Sequence, residues 1–297
     1  MKTRIFSIIL CLVITGQFAI TAVADDRLRI YTVNYPLQYF AQRIAGEHAE
    51  VVFPAPHAID PASWTPDVET MGAYQGADLI LLNGANYAKW INKVSLPRRR
   101  LVNTSSGFAE NYIDAGFGAE HSHGSGAAHA HAGVAFTTWL DLQQAVHQAD
   151  AIRQAITKKR PQLKAAVDKN FAGLESDLLA LDAELKSIIS ANQNQALLAS
   201  HPVYQYLARR YGVTVHSVMW EPDEYPELSQ WKELDNLARA HATKWMLWEG
   251  KPKAESVEQL KKTGIGSIVF DPCANVPAQG DFLSVMKKNL AELKRAF

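Results

Sequence analysis

The chain has 297 residues, 30 basic against 30 acidic side chains, and a formal net charge of zero. That balance excludes the basic footprint of a nucleic-acid binder and a polybasic membrane patch, and the length predicts two domains rather than one. Residues 1–24 carry Lys2 and Arg4, an apolar run over 5–13 and the small-residue sequence Ala22-Val23-Ala24. This pattern is that of a secretory signal peptide cleaved before Asp25, too short to anchor in a bilayer. Cys11 follows Leu10 inside the apolar run, where a lipoprotein would place a small residue, so lipidation is not expected. Cleavage leaves Cys273 as the only cysteine, which rules out an intrachain disulfide in a soluble, exported protein.

From Leu28 the sequence alternates strands and helices. Residues 28–33 (LRIYTV) read as a buried strand, 36–46 as a helix, and 49–53 as a second strand ended by Pro54-Ala55-Pro56. Residues 67–76 read as a helix, 78–82 (DLILL) as a continuous apolar strand of the parallel-sheet kind, and 87–91 as a short helix. The stretch 120–133, EHSHGSGAAHAHAG, then gathers four of the ten histidines as two His-x-His pairs, His121/His123 and His129/His131, on a glycine-rich tether. Over 160–190 apolar residues fall at Val167, Phe171, Leu174, Leu178, Leu181, Leu185 and Ile188, one stripe on a single long helix with Pro161 at its start. Alternation resumes with strands over 195–199, 213–218, 244–248 and 267–270 and helices over 202–211, 228–240, 256–263 and 281–296. The expectation is an α/β protein of two similar lobes, each a parallel sheet covered by helices, with boundaries 25–157 and 192–297. One long backbone helix, 158–191, joins them, and a ligand cleft lies between the lobes at the C-terminal strand ends.

Four segments in this order carry a family resemblance: VNYPLQYFAQRIAGEHAEV (33–51), ADLILLNGANYAKWI (77–91), SHPVYQYLARRYGV (200–213) and IVFDPCANVPAQGDFLSVMKKNLAEL (268–293). Together they resemble the solute-binding proteins of zinc and manganese ABC transporters, the zinc-uptake, ZnuA-like family, over nearly the whole chain after residue 24. The resemblance implies a periplasmic monomer that passes a metal ion, zinc first with manganese, iron or copper as alternatives, to an inner-membrane ABC permease. It also implies one divalent ion held by four side chains, two per lobe. The third and fourth of these match His201 and Asp271, each placed after a predicted strand and before a proline. An imidazole and a carboxylate suit zinc, and each must be deprotonated to bind.

The family's first two histidines have no counterpart. Ala62 stands where the Asp-Pro-His pattern would place one, after Asp60-Pro61, and Thr137 stands two residues before Trp139, where the other belongs. Alanine has no donor and a threonine hydroxyl is a poor zinc ligand. Candidate substitutes are His57, in the same proline-rich loop, and His129 and His131, which a six- to eight-residue reach of up to about 20 Å or more could fold back into the cleft. Glu249, after the strand over 244–248, is a weaker candidate that reads first as an ordinary loop carboxylate, and Cys273, a soft-ligand candidate, reads first as a buried, inert thiol. The tract bearing His121 and His123 is expected to collect metal beside the cleft, with donation of missing ligands as the alternative. Loss of two ligands also leaves open a periplasmic metal chaperone or buffer, or a binder of another metal or a metal chelate. With no His-Glu-x-x-His, Gly-x-Ser-x-Gly or phosphate-cradling loop, an enzyme is not expected.

Overall fold

Leu28, Ile30, Tyr31 and Thr32 are buried in β1 (Leu28–Thr32), the central strand on which the first lobe is assembled. The computed structural model describes residues 27–57, 59–115, 120–121, 129–130, 133–191 and 195–297. After β1, the Asn34 side chain accepts from Leu37 N (3.3 Å) and Pro36 occupies the first turn, which together start α1 (Tyr35–Ala45); Gly46, at φ 56°, ends it. β2 (Ala49–Val52), α2 (Val68–Gly76), β3 (Leu79–Leu82) and β4 (Leu101–Asn103) complete the lobe as a four-stranded parallel sheet in the order β2-β1-β3-β4. Continuous apolar runs in β1 and β3 fit strands covered on both faces.

Two-residue strands β5 (Glu120–His121) and β6 (His129–Ala130) pair antiparallel, with His121 opposite His129 in the backbone register. Their stem is closed by Ala115 N to Gly133 O (2.7 Å) and Ala135 N to Ile113 O (2.8 Å). His123 and His131, like the expected signal segment 1–24, lie outside the described residues. α3 (Leu142–Lys159) follows, capped by Asp141, and then α4 (Lys164–Ser190).

The sequence reading placed no helix over 142–159. The buried face of α3 is Leu142, Gln144, Ala145, Gln148, Ala149, Ile152 and Ile156, and its alanines and glutamines blunt the apolar contrast that marks a helix. The expected long helix begins at Lys164, after a 3-10 turn Pro161–Leu163, and the expected helix over 87–91 is the 3-10 turn Lys89–Lys93.

The second lobe contains β7 (Leu197–Ala199), α5 (Gln205–Tyr211), β8 (Val215–Ser217), α6 (Leu228–His241), β9 (Trp245–Trp248), α7 (Ala254–Lys262), β10 (Gly266–Val269) and α8 (Phe282–Leu293). Its parallel sheet runs β10-β9-β7-β8. Counting strands within each lobe, both sheets have the order second, first, third, fourth, so each reverses direction between its first and third strands. Ligands of open α/β sheets sit outside the carboxyl ends of the strands at that reversal.

At 27 residues, α4 is about 40 Å long and packs on α1 and α3 of the first lobe and α5 and α8 of the second. Six of the seven stripe residues are buried and Phe171 is half-buried, and the main hydrophobic cluster includes residues of both lobes from Leu28 to Ala296. Polar ties reinforce the bridge: Arg43 to Asp177 (2.7 Å), and Arg210 (2.6 Å) and the Tyr211 hydroxyl (2.9 Å) to the buried Asp182. Among the described residues no helix is long and apolar enough to cross a membrane.

Because this cluster includes both lobes, Leu178→Ala is expected to remove about 2–5 kcal/mol from a single cooperative unfolding transition, measured by denaturant titration. A second expectation concerns His216 on β8 and His241 at the end of α6, whose rings stack with centroids 3.5 Å apart. Burial, then the neighbouring imidazole, hold His216 below its ordinary value of 6.5. The unfolded chain therefore takes up a proton near pH 6.5 that the folded chain refuses, and stability falls as pH drops from about 7. Melting curves across pH 5–8 should show a shallower acid decline in His216→Gln than in the parent.

Candidate metal centre

All four strands of the second lobe run out into residues with metal-binding side chains. Beyond the regular strands, Ser200 N bonds Leu247 O (2.8 Å), Val218 N bonds Ala199 O (2.9 Å), Trp220 N bonds Ser200 O (2.7 Å) and Phe270 N bonds Trp248 O (2.9 Å). These bonds carry the sheet to its rim, where β7 delivers His201, β8 Glu221, β9 Glu249 and β10 Asp271. The sheet is thus a rigid mount on which four potential donors share one edge.

His201 is only 4% exposed. Its Nδ1 lies 3.4 Å from Glu221 Oε1 and 3.5 Å from Glu249 Oε1. One donor atom from each of the three falls within 4.8 Å of the other two, the one such group among the described residues. They open into a cavity of about 440 Å³ between the lobes, which Asp271 also lines. Its far wall includes Asp60, Tyr87, Thr137 and Trp139, with the exposed His57 at its rim.

Crowded carboxylates dominate the electrostatics. Burial, then Glu221, Asp60 and Asp271, push the Glu249 carboxyl up from 4.5 to about 8. Burial likewise raises Asp271, opposed by the Cys273 N–H that its Oδ1 accepts at 2.7 Å and by Lys288. Asn289 holds this segment in place, accepting from Asp271 N (3.0 Å) and donating to Asp271 O (2.7 Å). The buried Cys273 thiol is driven above its usual range by burial first and by Asp271 next, which keeps it protonated and a poor ligand.

The first lobe presents a different surface. Asn83, at the end of β3, sits in a buried neutral network in which Asn34 Nδ2 (3.3 Å), Thr138 Oγ1 (3.3 Å) and Gln148 Nε2 (3.2 Å) all donate to its Oδ1. Gln148 also donates to Thr104 (3.0 Å), and Asn83 Nδ2 to Phe136 O (2.9 Å). Thr137 donates its hydroxyl to Val203 O across the lobes (2.5 Å), and the Trp139 indole donates to Pro272 O (2.7 Å). Both residues therefore tie the lobes together, and Ala62 is half-buried against the core.

His201, Asp271 and His57 all line one cavity, and of the three only His201 belongs to the converging group. For His121 and His129 the structure gives backbone placement alone. Glu249 is no ordinary loop carboxylate, because burial in an acidic cluster sets its environment. Glu221 was missed, although a signal for it was present: His201-Pro202, Glu221-Pro222 and Asp271-Pro272 each put a metal-binding side chain before a proline just past a strand.

Comparison with known proteins agrees with this architecture. The family model of zinc-uptake complex component A, periplasmic (ZnuA), matches residues 30–296. Zinc-binding lipoprotein AdcA of Streptococcus pneumoniae is 24% identical over 281 residues, covering 92% of this chain and 56% of its own. The chain thus spans little more than half of that relative's length. High-affinity zinc uptake system protein ZnuA of Bacillus subtilis is 24% identical over 289 residues, covering 91% of this chain and 87% of its own. Among solved structures, the metal-dependent lipoprotein YcdH of B. subtilis superposes with a TM-score of 0.79 at 20% identity, covering 91% of this chain and all of its own. The Zn(II)-bound ZnuA-like domain of S. pneumoniae AdcA gives 0.77 at 21% identity, covering 91% and 98%. With a family model spanning nearly every residue after the first 29, and two lobes bridged by one long helix, the chain belongs to the ZnuA family of periplasmic zinc-uptake components.

Proposed function

We propose that this protein is an exported solute-binding protein that captures a divalent metal ion, zinc foremost, in the cavity between its lobes and delivers it to an ABC permease. His201 supplies the nitrogen donor, and Glu221, Glu249 and Asp271 supply carboxylate oxygens. The spacing around His201 carries this reading. Two ligands about 2.0–2.1 Å from a tetrahedral zinc are about 3.3–3.4 Å apart. The observed 3.4 and 3.5 Å from Nδ1 to the two glutamates match that edge. A dication among these groups would also offset the burial and the carboxylate repulsion that hold Glu249 protonated, with release of its proton on binding.

Relatives described as zinc-binding and zinc-uptake proteins support zinc as cargo, and the family's uptake role supports a permease as recipient. The leader-like residues 1–24 support export to the periplasm. The histidines of 120–133, His121, His123, His129 and His131, act as a collector that raises the local metal concentration. The stem of this segment is bonded to α5, the helix that begins four residues after His201: the Tyr206 hydroxyl donates to Ala135 O (2.9 Å).

Zinc titration of the intact chain, of a deletion of 120–133 and of His201→Ala tests this reading. One tight ion is expected to survive the deletion and to disappear with His201→Ala. Loss of all tight binding on deletion, with His201→Ala harmless, would overturn it. Glu249→Gln should weaken zinc binding yet raise the metal-free melting temperature at pH 8 by a few degrees. The folded carboxyl, held near 8, disfavours folding as pH rises above its ordinary 4.5, and the amide removes that penalty.

A further inference from the structure

The donors described so far all come from the second lobe, whereas a cleft that closes on an ion needs a partner from the first. We propose that Asp60 is that partner and that Tyr87 positions it, so the ion sits among one imidazole and several carboxylates. Such a site discriminates less strongly for zinc against manganese than a histidine-rich one. The inference rests on the metal reading above and goes beyond it.

Asp60 lines the same cavity as His201, Glu221, Glu249 and Asp271. Its charge acts on both Glu249 and Tyr87, which line the same cavity. Within its own turn Asp60 Oδ1 accepts Ala62 N (3.0 Å) and Oδ2 accepts the Ser63 hydroxyl (3.1 Å). Each carboxylate oxygen has a second lone pair, so these bonds orient the group and leave acceptor capacity for a cation. The loop is latched to the segment that provides Asp271: Asn275 Nδ2 donates to Pro56 O (2.8 Å) and Ile59 O (2.9 Å). Asp60 stands outside the tight three-residue group but lines the cavity it opens into.

Tyr87 gives the independent observation. It is 2% exposed, lines the cavity, and its hydroxyl has no hydrogen-bond partner among the described residues. Buried polar groups without partners are rare, and one beside a cavity marks a place where a ligand or its shell completes the bonding. Phe136 and Trp139 pack edge-on against the ring at 5.2 and 5.7 Å and fix its direction. Gly84, Ala85 and Asn86 precede it at φ 78°, 47° and 56°, a left-handed run that turns the chain sharply after β3. Non-glycine residues persist in that region where the surrounding structure imposes it. Burial, with Asp60 nearby, keeps the phenol protonated, so it donates to Asp60 as a carboxylate ligand of the ion. Oxygen-rich sets suit harder divalent ions, and imidazole-rich sets suit zinc and copper.

Calorimetric titration of the full chain with zinc and, separately, with manganese tests this. Asp60→Asn keeps the turn bonds and removes the charge, so both affinities should fall by about tenfold or more, the scale of losing even an outer-shell partner. A change below threefold overturns Asp60 as a ligand. Asp60→His should increase the ratio of zinc to manganese affinity at least threefold, and an unchanged ratio overturns the selectivity argument. Tyr87→Phe should weaken both ions without lowering the metal-free melting temperature, whereas unaltered affinity overturns the positioning role. His201→Ala run in parallel separates the two levels. If it abolishes tight binding while Asp60→Asn does nothing, only this inference fails; if both are silent, the cavity reading fails with it.

Discussion

Burial of several carboxylates at one sheet edge, where the backbone will not let them separate, is the constraint on which the candidate site depends. Parallel strands end together, so whatever follows each strand is gathered at one sheet edge. In the second lobe those residues are His201, Glu221, Glu249 and Asp271, and burial, then the neighbouring Glu221, Asp60 and Asp271, raise Glu249 to about 8. An arrangement of this kind is costly to fold and favourable only when a cation joins it. The imidazole beside the carboxylates makes that cation a transition metal rather than calcium or magnesium, which take all-oxygen shells.

The two lobes share a strand order but use their corresponding edges differently. In the first lobe the edge is filled by Asn34, Asn83, Thr104, Thr138 and Gln148, neutral groups that satisfy one another. Such a network is rigid and has no net attraction for an ion. It fixes the segment 136–140, whose Thr137 and Trp139 bond to Val203 and Pro272 of the other lobe. Residues that resemble altered ligand positions therefore hold the cleft walls in register. Most of the charged donors come from the second lobe, and the neutral network of the first sets the alignment. With α4 packed on both, the lobes have a common spine and share the main hydrophobic cluster, while a second cluster around Trp220 and Trp248 covers the other face of the second sheet.

Much of the fold was legible because its signals are local. The apolar runs of β1 and β3, the Asn34 and Asp281 caps and the 4-3 stripe of α4 each encode their element within a few turns. α3 escaped because the residues it buries include Gln144 and Gln148. Gln148 earns its burial through Asn83 and Thr104, 65 and 44 residues away in sequence. No window of sequence around α3 contains those partners, so its polar buried face cannot be distinguished from a solvated one.

The site divides along the same line. By itself the sequence determined the two-lobed α/β plan, the family, and His201 and Asp271 as residues at strand ends before prolines, because strand periodicity and turn chemistry are written in neighbouring residues. Only the tertiary structure decided that Glu221 and Glu249 converge on His201 at 3.4 and 3.5 Å, and that the Thr137 hydroxyl bonds Val203 O across the lobes. Convergence depends on how four strands line up side by side. That register is set by hydrogen bonds between segments tens of residues apart, which local sequence does not contain.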